Sequence, residues 1–249
     1  MPITRATMLC GVTSWLLLLL PPLLVTLSGR ALFPLLDLSS GFAELNYALT
    51  MTGTRPWGVV TSIVVLGWVL VQLPSRLRLP IFCTLLLALG LNLLLSHGLK
   101  QLFAEPRPYV EYLAQHGLLN LSQFYQADSS ERSVLLAALS RDQLPIPISA
   151  NVWSQWQFET SYSFPSGHTL FSCTLALSSS VALLKRKRIL LPMLLLCWAW
   201  WVSLSRILLG MHWPIDVLAS ALLAGVITLV SNLIMHWLTA KFITNTERD

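Results

Sequence analysis

The stretch Ser205-Arg206-Ile207-Leu208-Leu209-Gly210-Met211-His212-Trp213-Pro214-Ile215-Asp216 joins two long apolar runs, near 189–209 and 214–238. Each run has enough residues to cross a hydrocarbon layer of about 30 Å, which takes about 20 helical residues. The junction gathers a guanidinium, an imidazole and a carboxylate within about three helical turns. Ionisable groups beside a bilayer are costly, so the grouping asks for a chemical reason. A phosphate would supply one, with Arg206 binding it, His212 attacking it and Asp216 orienting the histidine. Pro214 is suited to open the following helix, which puts His212 at the helix mouth and Asp216 within reach of its ring. A carboxylate on Nδ1–H leaves Nε2 free as nucleophile and stabilises the imidazolium.

Working outward, four more apolar stretches fall near 9–27, 57–73, 79–99 and 165–184. The pattern predicts an all-α, polytopic membrane bundle of six transmembrane helices, forming a single domain over residues 1–249. Between the third and fourth spans lies an external segment, 101–164. The first stretch follows a lone Arg5 and lacks small-x-small cleavage chemistry after it. Pro21-Pro22 interrupts the run rather than ending it, so the reading is a retained, kinked span.

Composition agrees. The chain is 55% hydrophobic and 11% charged, against roughly a quarter charged in soluble domains, and its 10 tryptophans suit interfacial belts. The net charge of +5 does not indicate nucleic acid, because the basic residues form short clusters between apolar runs. Arg5, Arg76 with Arg78, Lys185 to Arg188, and the tail with Lys241 and Arg248 share one side of a six-span layout. That side is expected to be cytoplasmic, with both termini on it. The Arg30–Pro56 loop, the external segment and the Gly210–Trp213 link then face the periplasm of a bacterial cell. The four cysteines lie within apolar runs without paired spacing and read as small buried residues.

Two further clusters fall on that same outer side. In Lys100-Gln101-Leu102-Phe103-Ala104-Glu105-Pro106-Arg107-Pro108, the two cations stand seven residues apart, two turns of helix, with Pro106 disturbing the helix before Arg107. They suit a phosphate or are interface cations whose stems lie along lipid. In Phe164-Pro165-Ser166-Gly167-His168-Thr169 the residues suit a helix start. Its free N–H groups would face an anion, with Gly167 allowing close approach and His168 handing a proton to a leaving oxygen. The alternative is an ordinary cap with an incidental histidine. Within the external segment, Asp128-Ser129-Ser130-Glu131 resembles a capping box ahead of a short amphipathic run that stops by Pro145 and Pro147. That run is too short to span; it is a lid beside the site or a cover over the bundle.

Taken in order, Lys-x6-Arg-Pro, Pro-Ser-Gly-His and Ser-Arg-x3-Gly-x-His-x3-Asp resemble the three-part signature of the type 2 phosphatidic acid phosphatase superfamily, without gap or substitution. Arg55 to Val59, Phe124-Tyr125 and Trp156 to Thr160 are similar to its bacterial phosphatidylglycerophosphatase B branch. The resemblance implies a lipid phosphatase of the inner membrane, acting on phosphatidylglycerophosphate, undecaprenyl diphosphate or phosphatidate at the outer surface. His212 would form a phosphohistidine, Asp216 orient it, and His168 protonate the leaving group and later activate water. Lys100, Arg107, Ser166, Gly167 and Arg206 would hold the phosphate. No metal or other cofactor is implied, and the partners are the lipid phosphate and membrane lipids, not nucleic acid.

Phosphotransfer to a second lipid shares the first half-reaction and stays open. A transporter is disfavoured, because the charges sit at helix ends on one side and no paired broken spans are visible. His97, His116 and His236 read as structural. Glu105 and Glu159 are candidates to pair with an active-site cation, without a catalytic role.

Overall fold

The computed structural model describes residues 5–246. Its architecture is all-α: eleven α-helices among the described residues, with a single bridge, Leu38 to Ile148, outside them. Helices α1 (Arg5–Ser28), α3 (Trp57–Val71), α4 (Ser75–Phe103), α9 (Gly167–Leu183), α10 (Leu190–Leu208) and α11 (Pro214–Thr246) form the bundle. Met8–Ser28, a stretch starting at Ser75, Leu190–Leu208 and Pro214–Leu238 are long and apolar enough to cross a membrane, and Trp57–Val71 is a shorter apolar helix. Large aliphatic side chains stay exposed along them, among them Leu9, Leu16, Leu24, Ile63, Val71, Leu94, Leu229 and Leu233. That much outward apolar surface suits lipid rather than water as the surrounding medium. The protein is a membrane protein.

The expected 165–184 run behaves differently. Helix α9 is rich in serine and threonine and is buried along almost its whole length, enclosed by α10, α11, α4 and α1. Neighbouring helices cover it, and small polar residues allow their close approach. Helix α1 is integral to the packing as well. Leu18 lies in the core, Trp15 Nε1 donates to the Ala221 carbonyl at 2.9 Å, and a Cβ on Gly225 would stand 2.3 Å from the Trp15 ring.

A second layer caps one end of the bundle. Where one surface run was expected within 101–164, the chain forms four short helices, α5 (Pro108–Gln115), α6 (Leu121–Gln126), α7 (Ser129–Ala137) and α8 (Ala150–Phe158), with a 3-10 turn at Arg141–Gln143. Prolines, asparagine and serine punctuate the segment: Pro108 opens α5, Asn120 caps α6 and Ser149 caps α8. Asp128 and Glu131 form the expected capping box on α7. The Arg30–Pro56 segment, expected as a loop, contains helix α2 (Gly41–Met51), capped by Ser40. Leu38, Ala43, Tyr109, Val110, Phe124, Leu136, Trp153 and Trp156 build the cap's own core, which also takes in Leu209 and Met211 from the junction. Arg76, Arg78 and Arg188 lie, by chain direction, at the far end of the bundle; Arg248 lies outside the described residues.

Candidate active site

The junction between α10 and α11 is held from both sides. After α10 the N–H groups of Met211 and His212 both return to the Arg206 carbonyl, at 3.0 and 3.1 Å. Gly210 takes φ +69°, and any Cβ there would strike the Phe33 ring at 2.6 Å, so glycine is required twice over. The cap reaches the same turn: Tyr109 N–H donates to the Gly210 carbonyl at 2.9 Å, and Trp156 Nε1 to that of Leu209 at 2.9 Å. His212 is therefore fixed between two layers and is 1% exposed.

Lys100 and Arg107 do not share a helix face. Helix α4 ends at Phe103, Ala104 adopts a left-handed conformation, and Arg107 sits in extended backbone as the N-cap of α5. Prolines at 106 and 108 force that break. The two cations converge nonetheless. Lys100 Nζ donates to the Tyr162 carbonyl, and Arg107 donates to the Ser161 carbonyl at 2.6 Å and the Met211 carbonyl at 3.0 Å. One Arg107 nitrogen stands 3.4 Å from His212 Nε2.

Lys100, Arg107, Gly167, His168 and His212 line a single cavity of about 460 Å³, which continues between α3 and α4 past Ser62, Asn92 and Leu93. Ser166, Arg206 and Asp216 stand behind its wall. Ser166 caps α9, accepting from Thr169 N–H and Oγ1, while its own N–H donates to Ser220 Oγ at 2.8 Å. Arg206 is wholly buried; it donates to Thr50 Oγ1 at 2.8 Å and to Glu159 Oε2 at 2.5 Å. Asp216 accepts from Trp213 N–H at 2.9 Å and from the Ser163 hydroxyl, and lies 3.7 Å from His212 Nδ1. His97, His116 and His236 are not on the cavity wall; His116 packs on Tyr112 instead.

Ser163 and Thr54 gain a place here that the sequence had not given them, and Glu159 takes its expected place beside the cations. Ser163 Oγ lies 3.3 Å from His212 Nδ1 while bonded to Asp216, so a hydroxyl bridges the expected histidine–carboxylate contact. Glu159 pairs with Arg206, with Arg107 at 3.6 Å and with His168 Nε2 at 3.8 Å. Thr54 Oγ1 stands 2.7 Å from His168 Nε2. Neither Ser163 nor Thr54 carries a signal in the sequence.

The electrostatics follow from this burial. Burial first, then the nearby Arg107, Arg206 and Lys100, push the His212 imidazole well below its ordinary 6.5. It is therefore a free base at neutral pH, with a lone pair available. Burial works to raise the Glu159 carboxyl, but Arg206, His168 and Arg107 outweigh it and hold the group below the usual carboxylate range. Among the described residues no three His, Cys, Asp or Glu side chains gather as a metal site. The arrangement offers a small anion two imidazoles and fixed cations in one enclosed space, which is what phosphoryl transfer asks of a protein.

Comparison with known proteins points the same way. The profile of the PAP2 superfamily matches residues 81–240. Phosphatidylglycerophosphatase B of Escherichia coli (strain K12) is 34% identical over 227 residues, covering 90% of this chain and 86% of the relative. The protein of the same name from Haemophilus influenzae is 32% identical over 210 residues, 79% of this chain and 82% of its own length. An undecaprenyl-diphosphatase of Sulfolobus acidocaldarius is 40% identical over 72 residues, 29% of this chain and 33% of its own length.

Proposed function

The chain belongs to the PAP2 superfamily, and from that premise we propose that it is an integral-membrane lipid phosphatase acting through a phosphohistidine. The observation that carries the reading is the one cavity lined by Lys100, Arg107, Gly167, His168 and His212. These residues come from four separate parts of the chain. The names of its relatives suggest phosphatidylglycerophosphate and undecaprenyl diphosphate as substrates; phosphatidate is a third of the same chemistry. Six spans, with both termini cytoplasmic and the cavity at the outer surface, suit the basic residues at the far end of the bundle.

In this mechanism Lys100 and Arg107 neutralise the phosphoryl oxygens, helped by the N–H groups that open α9. His212 Nε2 attacks phosphorus, and the bond to the leaving oxygen breaks as His168 gives that oxygen a proton. Asp216, through Ser163, steadies the ring and its new positive charge. His168 then takes a proton from water, whose oxygen displaces His212 from phosphorus. Arg206 and Ser166 act behind the wall: Arg206 by fixing Glu159 and Thr50, Ser166 by starting α9. The family works without a metal, and the cations would take over a metal's role in charge neutralisation.

The test is phosphate release from these lipids by purified protein in detergent, with and without a chelator. His212→Ala and His168→Ala should each remain folded and lose about 10²-fold or more of turnover. Acid-labile label should be trapped on protein that retains His212 and be missing from His212→Ala. Wild-type turnover in either variant would overturn the mechanism, and label passing to a second lipid instead of water would make the enzyme a transferase.

A further inference from the structure

We propose that Thr54 is a positioning residue for His168, holding the imidazole in the plane and protonation state that proton delivery requires. The inference rests on the reading of His168 given above. Thr54 Oγ1 lies 2.7 Å from His168 Nε2, across 114 residues of sequence, and both side chains line the cavity. The hydroxyl has a second neighbour, the Thr50 carbonyl at 3.4 Å. With its hydrogen directed there, the oxygen is free to accept from Nε2–H. That arrangement keeps a proton on Nε2 and fixes the plane of the ring in the cavity wall.

The surroundings make Thr54 a fixed reference rather than a mobile contact. Gly53 N–H and Thr54 N–H close turns onto the carbonyls of Thr50 and Met51, both at 3.0 Å. Gly58 N–H donates to the Thr54 carbonyl at 2.7 Å, and a Cβ on Gly58 would come 2.9 Å from the Gly53 carbonyl. Thr52 is tied to both sides: its carbonyl accepts from Thr61 at 2.9 Å and its hydroxyl from Trp198 at 2.9 Å. A Cβ on Gly53 would reach His168 Cδ2 at 3.0 Å, so the backbone lies close against that edge of the ring. The turn after α2 thus confines the imidazole by shape on one edge and by a hydrogen bond at Nε2. Glu159 Oε1 lies 3.8 Å from the same nitrogen, beyond hydrogen-bond reach, and accepts from Gln155 Nε2 at 3.2 Å instead.

Thr54→Val keeps the volume and removes the hydroxyl, while Thr54→Ser keeps the hydroxyl. Losing one such hydrogen bond should lower kcat about three- to tenfold, with KM within about twofold, and serine should restore most of the loss. A role exercised through His168 also requires that Thr54→Val add nothing to the residual turnover of His168→Ala. Wild-type kcat in Thr54→Val beside an inactive His168→Ala would overturn this proposal and leave the His168 assignment standing. Full activity in His168→Ala would remove both. Equal losses in valine and serine variants, or an undiminished effect in the double variant, would reduce Thr54 to packing and refute the proposal. Should valine prevent recovery of folded protein, Thr54→Ala removes the same hydroxyl with less bulk and is read by the same criteria.

Discussion

Glu159→Gln separates two consequences of one carboxylate. Its Oε2 lies 2.5 Å from an Arg206 nitrogen and 3.6 Å from an Arg107 nitrogen, and Arg206 is wholly buried. Arg206 Nε has no partner among the described residues, so Thr50 is the one other side chain bonded to that guanidinium. Removing one member of a buried pair costs about 3–5 kcal/mol, because the other charge remains enclosed. For a chain of this size that corresponds to roughly 6–20 °C in Tm on the scale of soluble domains. The second consequence has the opposite sign. Lys100, Arg107 and Arg206 stand against Glu159 and Asp216, a formal excess of one positive charge, and the glutamine makes it two. A unit charge about 6 Å from a phosphate at an effective dielectric near 20 is worth about 3 kcal/mol. Product inhibition by inorganic phosphate should therefore tighten about tenfold or more while the protein becomes less stable. The assays are thermal inactivation in detergent and the Ki of phosphate. The wild-type protein should also lose stability as pH falls below 4.5, since a carboxyl held below that value stabilises the fold above it and ceases to as the pH drops through its own pKa; the glutamine variant should lack this component. An unchanged or weaker Ki alongside a lowered Tm would show that Glu159 does not compete with the anion.

Ser163→Ala should cut kcat about ten- to hundredfold, the worth of a hydrogen bond to a charged group, with KM little changed; an unaltered kcat would mean that Asp216 orients His212 directly across 3.7 Å. Arg132 donates to the carbonyls of Phe124, Tyr125, Ala127 and Thr160 and lies 5.0 Å and 5.3 Å from the Tyr125 and Tyr162 rings. Arg132→Met should destabilise the cap by about 2–4 kcal/mol, read as earlier thermal inactivation, with lysine recovering only part. Because burial and neighbouring cations push the His212 imidazole down, protonation should disable it only well below pH 6.5. After correction for the substrate's own phosphate ionisation near about 6, the acid limb of kcat/KM should lie below that value, and an enzyme limb at 6.5 or above would refute the argument.

The cavity wall was legible where chemistry is concentrated in charged or aromatic-nitrogen side chains at fixed offsets. Lys100, Arg107, Gly167, His168 and His212 meet there, although the helical-face argument for the first two gave way to a break at prolines 106 and 108. Membrane helices were legible by length and apolarity, with α9 the instructive case: its serines are explained by neighbours, which one-dimensional hydropathy does not see. Helix α2 was hidden because it has only 11 residues and mixes Asn46 and Thr50 with alanine and leucine, a length at which isolated helices are marginal and packing decides. Ser163 and Thr54 were illegible for a related reason. A hydroxyl has no intrinsic signal, and its meaning comes from a partner 49 or 114 residues away.

The two imidazoles are held by different neighbourhoods, and this bears on how a lipid phosphate would be turned over. His168 stands at the start of α9 against the turn that follows α2, beside Thr54 and Gly53. His212 is held by the cap, through Tyr109 and Trp156 on its link and through Arg107 and Ser163 on its ring. Glu159 is the side chain that touches both sets, with Arg107 and His168 each within 4 Å. A phosphate entering the cavity would take over Arg107, which lies 3.6 Å from Glu159, and would then itself become the link between the layers. Perturbations of the cap, such as Trp156→Phe, should therefore fall first on formation of the phosphohistidine. Perturbations of the α2 turn should fall on proton transfer to the leaving oxygen and on activation of water. Rapid-quench measurement of label on protein separates the two, and equal slowing of both half-reactions by either kind of variant would contradict a division of labour along the seam.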